Sequence, residues 1–205
     1  ANGTNRVAIL LSSASSSFMF HKHGHLDRRL AVRLVVPTLL GVPFGALMAV
    51  YLPPETFQPA FGVLFLVMAL VLVLNPARLT EKVAISPRAE KYVTPLFFGI
   101  GLYVGFIQAG MGVLLLLGMS LIRSGDLVAA NAVKNFIGFW VTLTAMLVFV
   151  VYGLVDWLPA ITMALGNMAG GVVGAKLAIR KGNKLVLAFL IVVMVLTGIK
   201  LLLPG

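Results

Sequence analysis

The 205-residue chain is 60% hydrophobic and only 11% charged, carries a formal net charge of +10 at pH 7 and has a mean hydropathy of +1.05. That balance excludes an ordinary soluble domain and predicts an all-α, polytopic membrane protein. Cysteine is absent, which excludes disulfides and thiolate metal sites. The basic residues sit mainly in short connections between apolar runs, where orientation in a lipid bilayer explains them without nucleic acid as a partner.

No polar block is long enough to fold separately, so residues 1–205 read as a single transmembrane domain. The chain does not open on a basic leader with an apolar core and cleavage site, which predicts no signal peptide. The first apolar segment, 7–20, is diluted by Ser12, Ser13, Ser15, Ser16 and Ser17. It is short for a span unless residues 2–6 belong to it. Serine at this density suits tight helix contacts or a polar lining. The next stretch, 21–29, alternates His21, His23 and His25 but offers no defined remaining ligands, so it reads as a solvated basic loop and not as a metal site.

A second span is expected at 30–51 and a third at 57–74, with a turn at Pro53-Pro54-Glu55 between them. Residues 75–91 are polar and form the connection between two halves. Three further spans are expected at 127–152, 157–179 and 185–203. Tyr51, Tyr92, Tyr152 and Trp157 fall at span ends, where amphipathic rings prefer the membrane interface.

Residues 92–122 are apolar enough to enter a bilayer but are interrupted by Gln108-Ala109-Gly110-Met111-Gly112. At about 1.5 Å per residue an unbroken helix of this length overshoots a hydrocarbon core of about 30 Å. A helix, a glycine break and a second short helix are expected, with a merely kinked helix as the alternative. Unwound backbone at membrane depth is tolerated where it is buried in protein or lines a watery cavity, so the break marks a candidate permeation site.

The halves are related. A shift of 129 positions brings Ala1-Asn2 onto Ala130-Asn131, Gly24 onto Gly153, Asp27 onto Asp156, and Gly41 and Gly45 onto Gly170 and Gly174, with no gap. This predicts a partial first repeat at 1–74, truncated at its N-terminus, and a second repeat at 92–205. About forty residues are expected to precede the first repeat. If 92–122 goes in and comes back, nearly all the basic loops share one face; the positive-inside rule favours this, and with it inverted repeats.

Polar side chains in the later segments are few: Gln108, Asn131, Lys134, Asn135, Asn167 and Lys176. Lys134 and Asn135 open an apolar helix, and the repeat places Asn5 and Arg6 at the matching positions. A cation inside a membrane usually faces a cavity or a partner, and helix N-termini add positive potential and free N–H donors. Both favour an anion. The competing reading has Lys134 snorkelling to the interface and Arg6 in solvent. Gly101, Gly105 and Ala109, and then Gly166, Gly170 and Gly174, recur every four residues, for which helix packing is the default explanation.

The runs GLYVGFIQAGMGVLLLLGMSL, AANAVKNFIGFWVTL, YGLVDW and GNMAGGVVGAKLAIR resemble the second half of the TauE/SafE sulfite-exporter family of membrane permeases. The opening Ala1-Asn2-Gly3-Thr4, the HGHLD loop and GVPFGA resemble parts of its first half. The resemblance implies a multi-pass permease of the bacterial plasma (inner) membrane that moves sulfite, sulfonates or related small organic anions. The glycine-rich stretch that the family carries ahead of its AxGT run has no counterpart here.

The expected function is therefore secondary transport of a small anion, coupled to protons or to the membrane potential. Gln108, Gly110, Gly112, Asn131, Lys134 and Asn135 would line the second-half site, with Asn2, Thr4, Asn5 and Arg6 as first-half counterparts. No cofactor is expected. The sequence has no GxxxxGK[ST] motif for direct ATP coupling, and no HExxH or GxSxG motif for an intramembrane enzyme. A membrane scaffold that uses the small-residue faces for partner helices is the rival reading.

Overall fold

The computed structural model describes residues 2–51, 87–108, 110–120 and 126–202, with further helical positions at 59, 62, 63, 66 and 70. Among the described residues every element is helical. In chain order they are α1 (Asn2–Lys22), α2 (Arg28–Tyr51), α3 (Pro87–Phe106), α4 (Met111–Ser120), α5 (Leu127–Val151), α6 (Trp157–Lys181) and α7 (Asn183–Leu202). Most of the span expected at 57–74, and of the connection at 75–91, lies outside the described residues.

Helix α1 takes in residues 2–6, so the first segment is longer than its apolar run and Arg6 lies inside it. Helix α3 begins at Pro87, inside the stretch expected to be a connection; proline suits the first helical turn, where its missing N–H costs nothing. Three described helices, α2, α5 and α6, are long and apolar enough to cross a membrane.

Two of the turns are built alike. Gly24 (φ 73°), two residues past the end of α1, and Gly153 (φ 67°), two past the end of α5, both lie in the left-handed region that glycine enters without steric cost. Gly24 N–H donates to His21 O (3.0 Å) and His25 N–H to Phe20 O (3.0 Å); Gly153 N–H donates to Val150 O (3.0 Å) and Leu154 N–H to Phe149 O (2.9 Å). This is the Schellman closure of a helix C-terminus. An aspartate follows at the same distance in each case. Asp27 Oδ1 accepts from Leu30 N–H (3.0 Å) and so caps α2. Asp156 makes no side-chain cap; its backbone N–H instead donates to Thr4 Oγ1 (3.0 Å).

The two turns lie at opposite ends. Gly3, at the start of α1, sits against Phe149 in the last turn of α5 and the Leu154 carbonyl just beyond it, while midway Gly138 of α5 faces Ser13 of α1. Helices α1 and α5 are thus antiparallel. Helix α5 packs against α1, α2, α3, α4 and α7, and its buried Ile137, Val141, Ala145 and Phe149 form the centre of the core.

The tightest packing is between α2 and α3. A Cβ on Gly41 would meet the backbone of Phe98 and Leu102, one on Gly45 the carbonyl of Leu102, one on Gly101 the carbonyl of Thr38 and one on Gly105 the carbonyl of Val42. Only hydrogen at those four positions permits so close an approach, as expected of small residues every fourth position. The same spacing in α6 has a different outcome. Around Gly166, Gly170 and Gly174 nothing among the described residues lies within 4 Å of a Cβ, so these glycines leave space open where helix packing was expected. Gly171, beside them, is the α6 glycine that packs: a Cβ there would lie 2.7 Å from Ser12 O and 2.8 Å from the hydroxyls of Ser15 and Ser16. Those serines hold the α1–α6 contact through hydroxyl donation, Ser16 to Gly171 O (3.0 Å) and Ser15 to Met168 O (3.2 Å).

Candidate functional site

The break falls where the sequence places it. Helix α3 stops at Phe106 and α4 starts at Met111. Between them Gln108 (φ 60°) and Gly110 (φ 70°) both take left-handed backbone. Glycine does so freely, but glutamine pays a steric penalty and needs an anchor. That anchor is Thr142 in the middle of α5, whose Oγ1 accepts from Gln108 Nε2 (2.8 Å). Gln108 is buried, and its Oε1 has no hydrogen-bond partner among the described residues. Helix α4 then runs only 10 residues, a partial crossing at about 1.5 Å per residue.

Beside the break lies a cavity of about 590 Å³, lined by residues of α1, α4, α5, α6 and α7. Its polar lining comes from Ser12 and Ser16 of α1, Asn131, Lys134 and Asn135 of α5, and Asn167 of α6, while Gly110 and Gly112 expose the start of α4 to it. Gly166, Gly170 and Gly174 form the opposite wall, which is what their open surroundings provide: backbone without side chains to fill the space. Leu185, Val186 and Phe189 of α7 close the apolar side.

Among the described residues of this lining Lys134 is the one cation. Its side chain folds over the first turn of α4, so that a Cβ on Gly112 would lie 3.5 Å from Lys134 Cδ and 3.7 Å from Nζ. Among the described residues no carboxylate or hydrogen-bond acceptor is paired with the ammonium. The start of a helix carries positive potential, so the two positive features reinforce rather than neutralise each other. Asn135 Nδ2 donates to Asn131 O (2.8 Å) and to Asn131 Oδ1 (3.3 Å); this leaves Asn131 Nδ2 with no acceptor among the described residues. A cavity with an unpaired ammonium, an amide donor and a helix N-terminus has the chemistry to hold an anion.

The sequence-derived candidates divide. Gly110, Gly112, Asn131, Lys134 and Asn135 line the cavity together, whereas Gln108 is turned into the α3–α5 packing. Asn2 begins α1, Thr4 is engaged with Asp156 N–H, and Asn5 is exposed. Arg6 is fully buried at the other end of α5. Its Nη2 donates to Gly105 O (2.7 Å) and Val104 O (3.3 Å), and its guanidinium carbon lies 4.7 Å from the Phe149 ring centroid. It therefore closes the C-terminal end of α3, where a cation complements the helix dipole. Ser12, Ser16 and Asn167 were not among the candidates; serine density in α1 was the available signal, but it pointed equally to packing. Among the described residues no cluster of histidine and carboxylate ligands suits a metal ion; His21 lies in the last turn of α1, and His23 and His25 lie in the turn that follows it.

An apolar helical bundle with a broken helix beside a cavity that carries a few polar groups in a mainly apolar lining has the features of a membrane transport protein. The family model described as Sulfite exporter TauE/SafE matches residues 1–201, and the chain belongs to that family of membrane transporters. It is 27% identical over 202 residues to the probable membrane transporter protein ORF9 of Sinorhizobium sp., covering 98% of this chain and 77% of that one. It is 24% identical to the probable membrane transporter protein YunE of Bacillus subtilis, covering 100% of this chain and 81% of YunE. Identity is also 24% to the probable membrane transporter protein YfcA of Escherichia coli, over 98% of this chain and 75% of YfcA. No solved structure matches the chain.

Proposed function

We propose that the protein is a secondary permease of small anions such as sulfite, sulfonates or related organic anions, working in the inner membrane of a bacterium and driven by protons or the membrane potential. The observation that carries this reading is the Lys134 ammonium over the start of α4, without a counter-ion among the described residues, beside a cavity of about 590 Å³. An ammonium without a counter-ion in a largely apolar surround is costly, and an anion entering the cavity would remove that cost. Gly110 and Gly112 give it access to backbone at the break, and Asn131 and Asn135 supply neutral polar contacts. A compact tetrahedral or pyramidal oxyanion with a short organic tail matches both the polar wall and the apolar α7 wall.

The two halves act as inverted repeats in this reading. The equivalent Schellman turns at Gly24 and Gly153, the antiparallel α1 and α5, and the 129-residue correspondence support it. A site between such halves is the usual setting for alternating access. The test is flux of labelled sulfite and of a sulfonate into proteoliposomes, with and without an imposed proton gradient. Saturable, protein-dependent uptake is expected. Absence of uptake of either anion by correctly inserted protein would overturn the substrate class, and uptake indifferent to both the gradient and the membrane potential would overturn the coupling.

A further inference from the structure

On the outer side of the bundle a second cavity of about 460 Å³ opens between α1, α2 and α5, separate from the Lys134 cavity. Its floor and walls are Ala14, Phe18, Val32, Phe136, Phe139 and Trp140. Phe18 is 66% exposed, Val32 55% and Trp140 40%, so the groove faces the surroundings of the bundle. It runs along α1 from Ala14 to His21, about 10 Å at the helical rise, and ends at a basic rim. There Arg28 Nη2 meets His21 Nε2 at 2.6 Å. A guanidinium has five N–H donors, so Arg28 keeps donors beyond that contact. The neighbouring carboxylate, Asp27, accepts from Leu30 N–H at the start of α2. Lys22 and Arg29, both exposed, add positive charge on the same turn.

We infer that this groove binds one anionic phospholipid, with its phosphate at Arg28 and His21 and an acyl chain laid along Phe18, Val32 and Trp140. The charge pattern selects this occupant. A lipid with a negative head group supplies, in one molecule, a phosphate for the donors of Arg28 and an apolar tail that the groove accommodates. A bilayer already surrounds this face of a membrane-spanning bundle. Arginine pairs with phosphate through two N–H donors, and basic pockets at the membrane edge of helical bundles suit such head groups. Nothing in this inference depends on what the inner cavity transports.

The experiment is native mass spectrometry of the detergent-purified chain after exposure to equal amounts of phosphatidylglycerol and phosphatidylcholine with identical acyl chains. The wild-type protein is expected to retain one phosphatidylglycerol in preference to phosphatidylcholine. Arg28→Gln is expected to reduce that preference about fivefold, while Lys181→Gln, a charge loss at the end of α6, leaves it unchanged. Equal retention of the two lipids by the wild type would overturn the inference without recourse to any variant. So would an equal loss in both variants, which would mark a diffuse charge effect, or a second copy of the chain found to occupy the groove.

Discussion

Arg6 Nη2 donates to Gly105 O at 2.7 Å, so a cation from α1 closes the C-terminal end of the helix that leads into the break. Its Nε and Nη1 are buried without a partner among the described residues, which ties its described contribution to the carbonyls of Val104 and Gly105 and to the Phe149 ring. Replacing it with methionine keeps most of the packing volume and leaves both carbonyls unsatisfied. Arg6→Met is expected to lower stability by about 1.5–3 kcal/mol, read as a fall in thermal unfolding temperature in detergent. An unchanged midpoint would show that the bonds to α3 contribute nothing.

Gln108 combines left-handed backbone with a bond to Thr142 (2.8 Å). Gln108→Ala loses the bond and keeps the strain, whereas Gln108→Gly loses the bond but relieves the strain. The alanine variant is therefore expected to be less stable than the glycine variant by about 1–2 kcal/mol. Thermal unfolding of the pair checks this; the reverse order would mean that the backbone at 108 is not held left-handed.

The glycines separate by surroundings and not by spacing. Gly45→Ala pushes a methyl into the Leu102 carbonyl and is expected to cost about 1–3 kcal/mol from overpacking. Gly170→Ala meets open space, and is expected to be neutral or to stabilise by up to about 1 kcal/mol through helix propensity. Yield and thermal midpoint of the two purified variants, measured side by side, test the contrast. Equal destabilisation would place a packed neighbour on the α6 face.

The fold class and the break were legible in the sequence because each has a local cause. Apolar runs of span length set the first, and Gln108, Gly110 and Gly112 within such a run set the second. The matching turns were legible too, since Gly24 with Asp27 and Gly153 with Asp156 carry the closure in their own residue types. What could not be read depended on distant partners. Arg6 looked like a solvent-facing or site residue because its acceptors, Val104 and Gly105, lie 98 and 99 positions away. Gln108 looked like lining because Thr142, its anchor, is on another helix. Gly41, Gly45, Gly166, Gly170 and Gly174 share one spacing, yet the first two face a helix backbone and the last three a cavity; periodicity identifies a small face and not what lies opposite it. That Lys134 borders a cavity was legible because a cation inside an apolar helix has few inexpensive places to go.

The most direct test of the anion site is the rate of labelled sulfite and sulfonate uptake into proteoliposomes by Lys134→Ala beside the wild type, at equal inserted protein. Loss of this cation of the cavity lining is expected to reduce uptake about tenfold or more, the loss of one charge-assisted contact to the anion, with insertion and thermal midpoint retained. Uptake by Lys134→Ala equal to that of the wild type would remove Lys134 from the pathway and contradict the anion site.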